Sequence, residues 1–480
     1  MFEQYSLYMK KLNYLSFSLL FFITTSFLSI SCGDKGNGGD EQVTPTPVVP
    51  TITAMSPESG KPGTVLTITG SRFGTDKSKV KVRFNTTDAV NVVSVTDTEI
   101  KAEVPTGFSD QTVQVKVFVL DAASNGRSFY YEDTAPPSIT SVGGTCFYGS
   151  TVTISGSNFS INKEDNVVKF GDVEAVVTAC TKNSLTVTTP NVGNVASVDI
   201  TVTKYGIVSN SRSIPVDADQ HKVATYDWTT QTIRPGIVYK VGEFSLFGTD
   251  IRKIHVLDVT LDETNRLGIG VASPHKSTVA ICRDYGAIVG INAGYFPLGT
   301  SSDKDPYIRI NGTTIQAGHL GVSQIFTNSA LTIHNNVATV RKFTQSGTNL
   351  NQIAAAIPVA QAENVIVCGP MLITNGVIEN LNMSQSHNSS NTGRTGLGVT
   401  ADGKRVFMVV IEYRTTGTAT PKGMTTLELA KILQALGSVN AMNFDGGGSS
   451  TMFIEGQGTD GRVSVNGSSL RSVRSVIYVK

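Results

Sequence analysis

Thr69-Gly70-Ser71-Arg72-Phe73 returns about 85 residues further on as Ser155-Gly156-Ser157-Asn158-Phe159. Val82-Arg83-Phe84 comes back as Val168-Lys169-Phe170 at a similar offset, and Ser124-Asn125 as Ser209-Asn210. A nearly constant offset of small-domain length is the mark of a duplicated module. Between the matching blocks run short alternating stretches such as Val113-Gln114-Val115-Lys116-Val117 and Val198-Asp199-Ile200-Thr201-Val202. Apolar and polar residues alternate with period two, and Gly, Asn and Pro punctuate the runs. That pattern predicts two antiparallel β-sandwiches, over residues 51–134 and 135–219.

Before the repeats, Lys10-Lys11, a mostly apolar stretch from Leu15 to Ile30 and Ser31-Cys32-Gly33 follow one another. A short basic region, a hydrophobic region and small residues read as a targeting segment over residues 1–31. Cys32 stands where a lipoprotein signal carries its lipidated cysteine, which predicts a membrane partner through a lipid anchor. The apolar run is short and carries Thr24, Thr25 and Ser26, so it reads less well as a plain transmembrane span. Residues 32–50, rich in Gly, Asp, Thr and Pro, read as a flexible tether. The expected location is therefore the cell envelope, lipid-anchored to an outer membrane, on the periplasmic or the exposed side.

The 480-residue chain has a net charge of +1 and only 16% charged residues, which argues against a nucleic-acid partner. Of five cysteines, Cys146 and Cys180 fall in one small module and are candidates for a disulfide. Cys282 and Cys368 read equally well as buried thiols or as a pair. No CxxC or HExxH occurs and the six histidines are scattered, so neither a metal nor a cofactor is expected.

Residues 220–480 change character. Ile288–Ile291, Val406–Ile411 and Val439–Phe444 are continuous apolar runs, as in strands buried on both faces. Met424–Gly437 carries helix signals: Thr425 and Glu428 form a capping box, Leu429, Ile432, Leu433 and Leu436 make one stripe, and Gly437 closes the end. The predicted fold is thus multidomain, two all-β sandwiches followed by an α+β domain.

Each of the three buried runs ends abruptly in polar residues: Asn292 after the first, Glu412-Tyr413-Arg414 after the second, and Asp445-Gly446-Gly447-Gly448-Ser449-Ser450-Thr451 after the third. A buried strand that releases a reactive group at its tip places it on a rigid support. Three consecutive glycines let backbone amides converge on an anion, and Ser449, Ser450 and Thr451 add hydroxyls. The turn lacks the Gly-Lys-Ser/Thr of a nucleotide loop. A hairpin about Asp402-Gly403 pairs positions that sum to 805, which sets Gly393 opposite Glu412. Strict alternation then puts Thr395 on the face of Glu412 and Arg394 on the other.

These residues also carry a resemblance. The pattern Pro-x-Ile-Thr followed by Thr-Ile-x-Gly-x-x-Phe, present in both repeats, resembles the IPT/TIG branch of immunoglobulin-like domains, which implies spacer modules. Asn292-Ala293-Gly294-Tyr295-Phe296, Gly369-Pro370-Met371-Leu372, Arg394-Thr395-Gly396-Leu397-Gly398-Val399, Gly423-Met424-Thr425, Asn443 to Thr451, and Asn466 with Arg471 resemble the phosphodiester glycosidase family. Two departures stand out: Ala293 replaces a more usual Gly, and Glu412-Tyr413 stands where the family commonly has Asp-Gly. The resemblance implies hydrolysis of a sugar-1-phosphodiester, such as one of N-acetylglucosamine, on a phosphoglycan or cell-envelope polysaccharide; the alternatives are a noncatalytic surface glycan-binding lipoprotein and a phosphodiesterase with attack at phosphorus. It implies Arg394 and Arg471 as phosphate clamps beside the Gly446–Thr451 loop, with Asn292, Thr395 and Asn466 contributing to substrate binding. Asp445 and Glu412 are the implied catalytic carboxylates, and their roles are exchangeable at this stage.

Overall fold

The computed structural model describes residues 49–296, 306–318, 327–343, 350–414, 421–464 and 470–480. Cys32, Asn466 and the targeting and tether segments up to residue 48 lie outside them. The chain divides into two compact units, the first made of residues up to 58, 65–105 and 113–129 and the second of the rest.

In the first unit the strands Thr51–Ser56, Val65–Ser71, Glu99–Glu103 and Val92–Val95 form one antiparallel sheet, with Leu66, Ile68 and Ile100 completely buried. The repeated residues hold their places through close packing. A β-carbon on Gly70 would lie 1.9 Å from the Thr51 carbonyl oxygen and 2.4 Å from the Phe73 ring. In the second module one on Gly156 would lie 2.0 Å from the Ser138 carbonyl and 2.5 Å from the Phe159 ring. Glycine is thus the residue that lets the aromatic ring fold back over the sheet. Arg72 and Asn158 adopt φ of 63° and 59°, the left-handed turn that starts this return.

Asn125 accepts from the Ile52 amide at 2.8 Å and donates to the Ile52 carbonyl at 3.0 Å. Asn210 does the same with Ile139 at 2.8 and 2.9 Å. Ser124 and Ser209 each accept an amide at 2.9 Å, from Val117 and Val202. Both modules therefore staple their first strand through the same asparagine, and the serine before it holds the strand that carries Val117 or Val202.

The second module and the C-terminal domain belong to one unit. The helix Ala218–Thr225 joins them: Asp217 caps it through the Gln220 amide at 3.0 Å and also pairs with Lys431 at 2.7 Å. Cys146 and Cys180, expected as a candidate disulfide, are free thiols. Each has its own surroundings. Cys146 is buried beside Thr189 and Val216, with burial pushing its thiol up to about 11, whereas Cys180 donates to the Ile161 carbonyl. Cys282 and Cys368 are likewise separate buried thiols, so the reading of those two as a pair does not hold.

The C-terminal domain is mostly β. One eight-stranded sheet runs Thr229–Arg234, Ile237–Ser245, Ile251–Thr260, Arg405–Ile411, Arg394–Val399, Asn440–Asn443, Met371–Thr374 and Val377–Ile378 in spatial order. A four-stranded sheet holds Leu267–Ser277, Ser472–Val479, Val289–Asn292 and Met452–Ile454, and a five-stranded sheet completes the fold. Side chains from all three meet in one core, among them Leu397, Met408, Val410, Met442, Ile291, Ile477 and Ile366. Helix is confined among the described residues to short segments, of which Thr426–Ala435 is the longest. That helix carries the expected capping box and lays Leu429, Ile432 and Leu433 on the outer face of the large sheet, against Val409 and Ile411. Burying each such side chain contributes about 1.5–3 kcal/mol.

The hairpin register agrees with the sequence reading. Arg394 pairs Ile411, Thr395 pairs Val410 and Val399 pairs Val406. All of Val289–Asn292 and Arg394–Val399 is buried. The strand ends that carry polar residues therefore emerge from a rigid interior.

Candidate active site

Asn292 ends its strand fully buried and is the knot of the site. Its side-chain amide donates to the Asp445 carbonyl at 2.7 Å. Its side-chain oxygen accepts from the Thr395 hydroxyl at 2.7 Å and the Thr451 amide at 3.0 Å. The Asp445 amide in turn donates to the Ala293 carbonyl at 2.9 Å. Three elements from two sheets are thus tied at the residue preceding the triple glycine. Asn292 and Thr395 were expected to touch substrate. Both are buried and bonded to each other, and the Asn292 side chain also bonds the Asp445 loop.

The loop departs from expectation in a second way. Gly447–Ser449 is a turn of 3-10 helix, so the Ser449 and Ser450 amides donate back to Gly446 and Gly447, and the Gly447 amide donates to Gly393 at 2.7 Å. The Thr451 amide is held by Asn292. The amide array predicted to converge on an anion is therefore largely taken up, two amides within the turn and two by Gly393 and Asn292. The Gly448 amide has no backbone partner among the described residues. A β-carbon on Gly448 would sit 3.1 Å from an Arg471 guanidinium nitrogen, and one on Gly446 would sit 2.8 Å from the Gly393 carbonyl. Glycine at 448 lets the Arg471 guanidinium lie over the turn.

Asp445 occupies the mouth of this arrangement. Burial pushes its carboxyl up to about 6, with the Ser449 hydroxyl, the Arg471 charge and the Gly446 amide pulling the other way. Desolvation wins because the charged form loses water faster than these partners replace it. A carboxyl with its midpoint near neutrality, set beside an arginine, is what proton transfer next to an anion requires.

Arg394 is almost wholly buried, and its Nε and Nη2 donate to the carbonyls of Met424, His387 and Ser390 at 2.7–2.8 Å. Burial lowers its pKa to about 10, so it stays charged at neutral pH. Alternation does turn it away from the face of Thr395, as expected. Its Nε and Nη2 are held by backbone carbonyls, which fixes the guanidinium and its positive charge near the loop.

Beneath Asp445 lies a network that sequence reasoning did not single out. The Tyr295 hydroxyl donates to the Gly369 carbonyl at 2.6 Å and meets His387 Nε2 at 2.9 Å, while the Asn443 amide donates to the same hydroxyl at 3.1 Å. Burial, helped by the Cys368 and Asp445 charges, holds the Tyr295 phenol well above its ordinary range. Burial and Arg394 lower His387 to about 4, so its ring is neutral at neutral pH. Tyr295 and Asn443 stood within quoted motifs. His387, in a run of Ser and Asn, gave no signal.

Glu412 is fully buried, and its partners differ from those of Asp445. His255 Nε2 lies 2.8 Å from one oxygen and Lys253 3.4 Å from it, and Arg414 lies 3.1 Å from the other. Tyr239 backs His255 Nδ1 at 2.7 Å. Glu412 was expected as the second catalytic carboxylate. It lies among these partners two strands from Asp445 on the large sheet. Asn466 lies outside the described residues. No cluster of three or more His, Cys, Asp or Glu among the described residues could hold a metal ion.

Residues 285–480 match the phosphodiester glycosidase family, and residues 50–131 and 137–217 match the IPT/TIG domain. This chain carries a phosphodiester glycosidase domain. A curated relative, cyclomaltodextrin glucanotransferase of Paenibacillus macerans, is 34% identical over 119 residues, 24% of this chain, and the match spans 17% of that protein's length. Among solved structures, the catalytic domain of zebrafish N-acetylglucosamine-1-phosphodiester alpha-N-acetylglucosaminidase, auto-inhibited by its pro-peptide, aligns at 15% identity with a TM-score of 0.38, covering 52% of this chain and 87% of that one. A hypothetical protein from Synechocystis aligns at 15% identity and a TM-score of 0.37, covering 88% of this chain and 90% of that one. Several of the quoted motifs meet here: Asn292, Thr395 and the Asp445 loop are bonded into one network, Asn443 bonds Tyr295 and Gly369, and Arg471 lies over the loop.

Proposed function

We propose that the glycosidase domain hydrolyses a sugar-1-phosphodiester at its anomeric bond, releasing the sugar and leaving a phosphomonoester on the glycan. The single observation that carries this reading is the Asp445 carboxyl, poised near 6 beside Arg471 on a backbone that Asn292 holds through the Asp445 carbonyl. The phosphate leaving group departs with the bonding electron pair and needs little protonation, so a fixed guanidinium and a backbone amide suffice to hold it. Arg471 and the Gly448 amide supply them. Asp445 takes a proton from the attacking water, whose oxygen bonds to the anomeric carbon as the bond from carbon to phosphate oxygen breaks. Tyr295, Asn443 and His387 keep the floor of the site rigid. Glu412 orients neighbouring cations rather than acting on the sugar.

The natural setting follows from the chain's other parts. The N-terminal targeting segment with Cys32 would place the domain in the cell envelope on a lipid anchor, with the two IPT/TIG modules as spacers. Among the described residues no helix is long and apolar enough to cross a membrane.

The test is turnover of methyl N-acetylglucosamine-1-phosphodiester by the wild type and by Asp445→Asn. Release of free sugar by the wild type, lost at least about a thousandfold in the variant, supports the assignment. Equal rates for the two proteins would remove Asp445 from the mechanism.

A further inference from the structure

The Glu412 cluster holds more positive charge than one carboxylate balances. Lys253, Arg414 and Arg462 all interact with Glu412, Arg462 while donating to the Ser464 carbonyl at 2.8 Å. His255 adds a neutral donor, because burial lowers its pKa. Glu243 stands opposite Lys253 across the strand pair, yet the cations still outnumber the carboxylates. Glu412 is wholly inaccessible, whereas the side chains of Lys253 and Arg414 remain 25% and 44% exposed. A buried carboxylate thus grips the inner sides of two cations and leaves their outer sides to solvent. The buried carboxylate fixes where these two cations present their charge.

The cluster also lies at the same sheet end as Asp445. The strands ending in Ile411 and Asn443 run parallel, with Arg394–Val399 between them. Two strand spacings separate the two tips, about 10 Å. Arg471 and Arg394 add two more cations at that end. A single phosphodiester carries one negative charge, which Arg471 already answers.

We propose that Lys253, Arg414 and Arg462 form a second anion subsite, which binds a further phosphodiester on the aglycone side of the scissile bond. The substrate class is then a polymer of phosphodiester-linked sugars rather than an isolated diester. This rests on the hydrolytic reading of Asp445, and it makes Arg414 and Lys253 specificity-determining residues.

The experiment compares two synthetic substrates, one sugar-1-phosphodiester with a neutral methyl aglycone and one whose aglycone bears one more phosphodiester. At low salt the wild type should favour the doubly charged substrate in kcat/KM by about tenfold or more, and the preference should shrink as salt rises. In Lys253→Gln/Arg414→Gln that ratio should fall towards one through KM, and Arg414→Lys should restore part of it. A wild-type ratio near one overturns the proposal even if the double variant does not fold. So does an equal loss on both substrates in a folded variant. If neither diester is hydrolysed, the hydrolytic reading fails, and the subsite is read separately by calorimetry of Asp445→Asn with the doubly charged diester. Binding weakened by the Lys253 and Arg414 changes supports the subsite, and unchanged or absent binding overturns it.

Discussion

At the scale of single residues, Asp445 makes two predictions of opposite sign. Folding raises its pKa from 3.8 to about 6, so the fold favours the protonated form. Its contribution to stability is therefore fully kept below about pH 3.8 and is lost as pH rises through 6. Asp445→Asn should raise the melting temperature above pH 6.5, corresponding to about 1–3 kcal/mol, and give no gain near pH 4. Thermal melts at the two pH values check this. The same carboxyl acts as a base, so kcat/KM of the wild type should climb with pH and level off above a midpoint near 6. Asn292→Ala removes the bonds to Asp445, Thr395 and Thr451 at a fully buried position. It should cost about 2–4 kcal/mol in urea unfolding and lower kcat more than it raises KM, because the loop loses its hold on Asp445. Legibility at this scale was uneven. The glycine turn after Asp445 could be picked out because a strand tip and a triple glycine are local signals, whereas Arg471 entered only through the resemblance. The burial of Asn292, Thr395 and Glu412 was not, since it depends on which sheet covers each strand end. His387 reaches Tyr295 from a distant loop, and no spacing rule reports that pairing.

At the scale of elements, the Gly-x-x-Phe corner and the glycine turn are both places where a β-carbon has no room. Gly156→Ala would put a methyl group 2.0 Å from the Ser138 carbonyl and should destabilise the second module by about 2–4 kcal/mol. Gly448→Ala is expected to act differently. Its methyl group meets a flexible, exposed guanidinium at 3.1 Å, so the melting temperature should hold while KM for the diester rises several-fold as Arg471 is displaced. Michaelis kinetics alongside thermal melts separate the two cases. The hairpin about Asp402-Gly403 shows why register could be read ahead of the fold: a tight turn centred there fixes every pair beyond it, down to Arg394 opposite Ile411. The Gly446–Thr451 turn shows the limit. Glycines permit many backbone paths, and whether amides point at an anion or at their own carbonyls is decided by the path taken.

At the scale of the whole molecule, the repeats identified the β-modules from sequence because both copies use the same staples, Asn125 on Ile52 and Asn210 on Ile139. The C-terminal domain was harder to read. Continuous apolar runs announced buried strands, but the balance of helix and strand depends on sheets built from distant segments, and strand prevails. If the first module is a spacer, a chain starting at residue 135 should hydrolyse small diesters at the full-length rate. A loss of more than a few-fold would give that module a part in the reaction.

The central claim is that water attacks the anomeric carbon, and isotope labelling reads this directly. Hydrolysis by the wild type in oxygen-18 water should yield a phosphomonoester free of label by the isotope shift of its phosphorus resonance. Label in the phosphate would mean attack at phosphorus and would contradict the account.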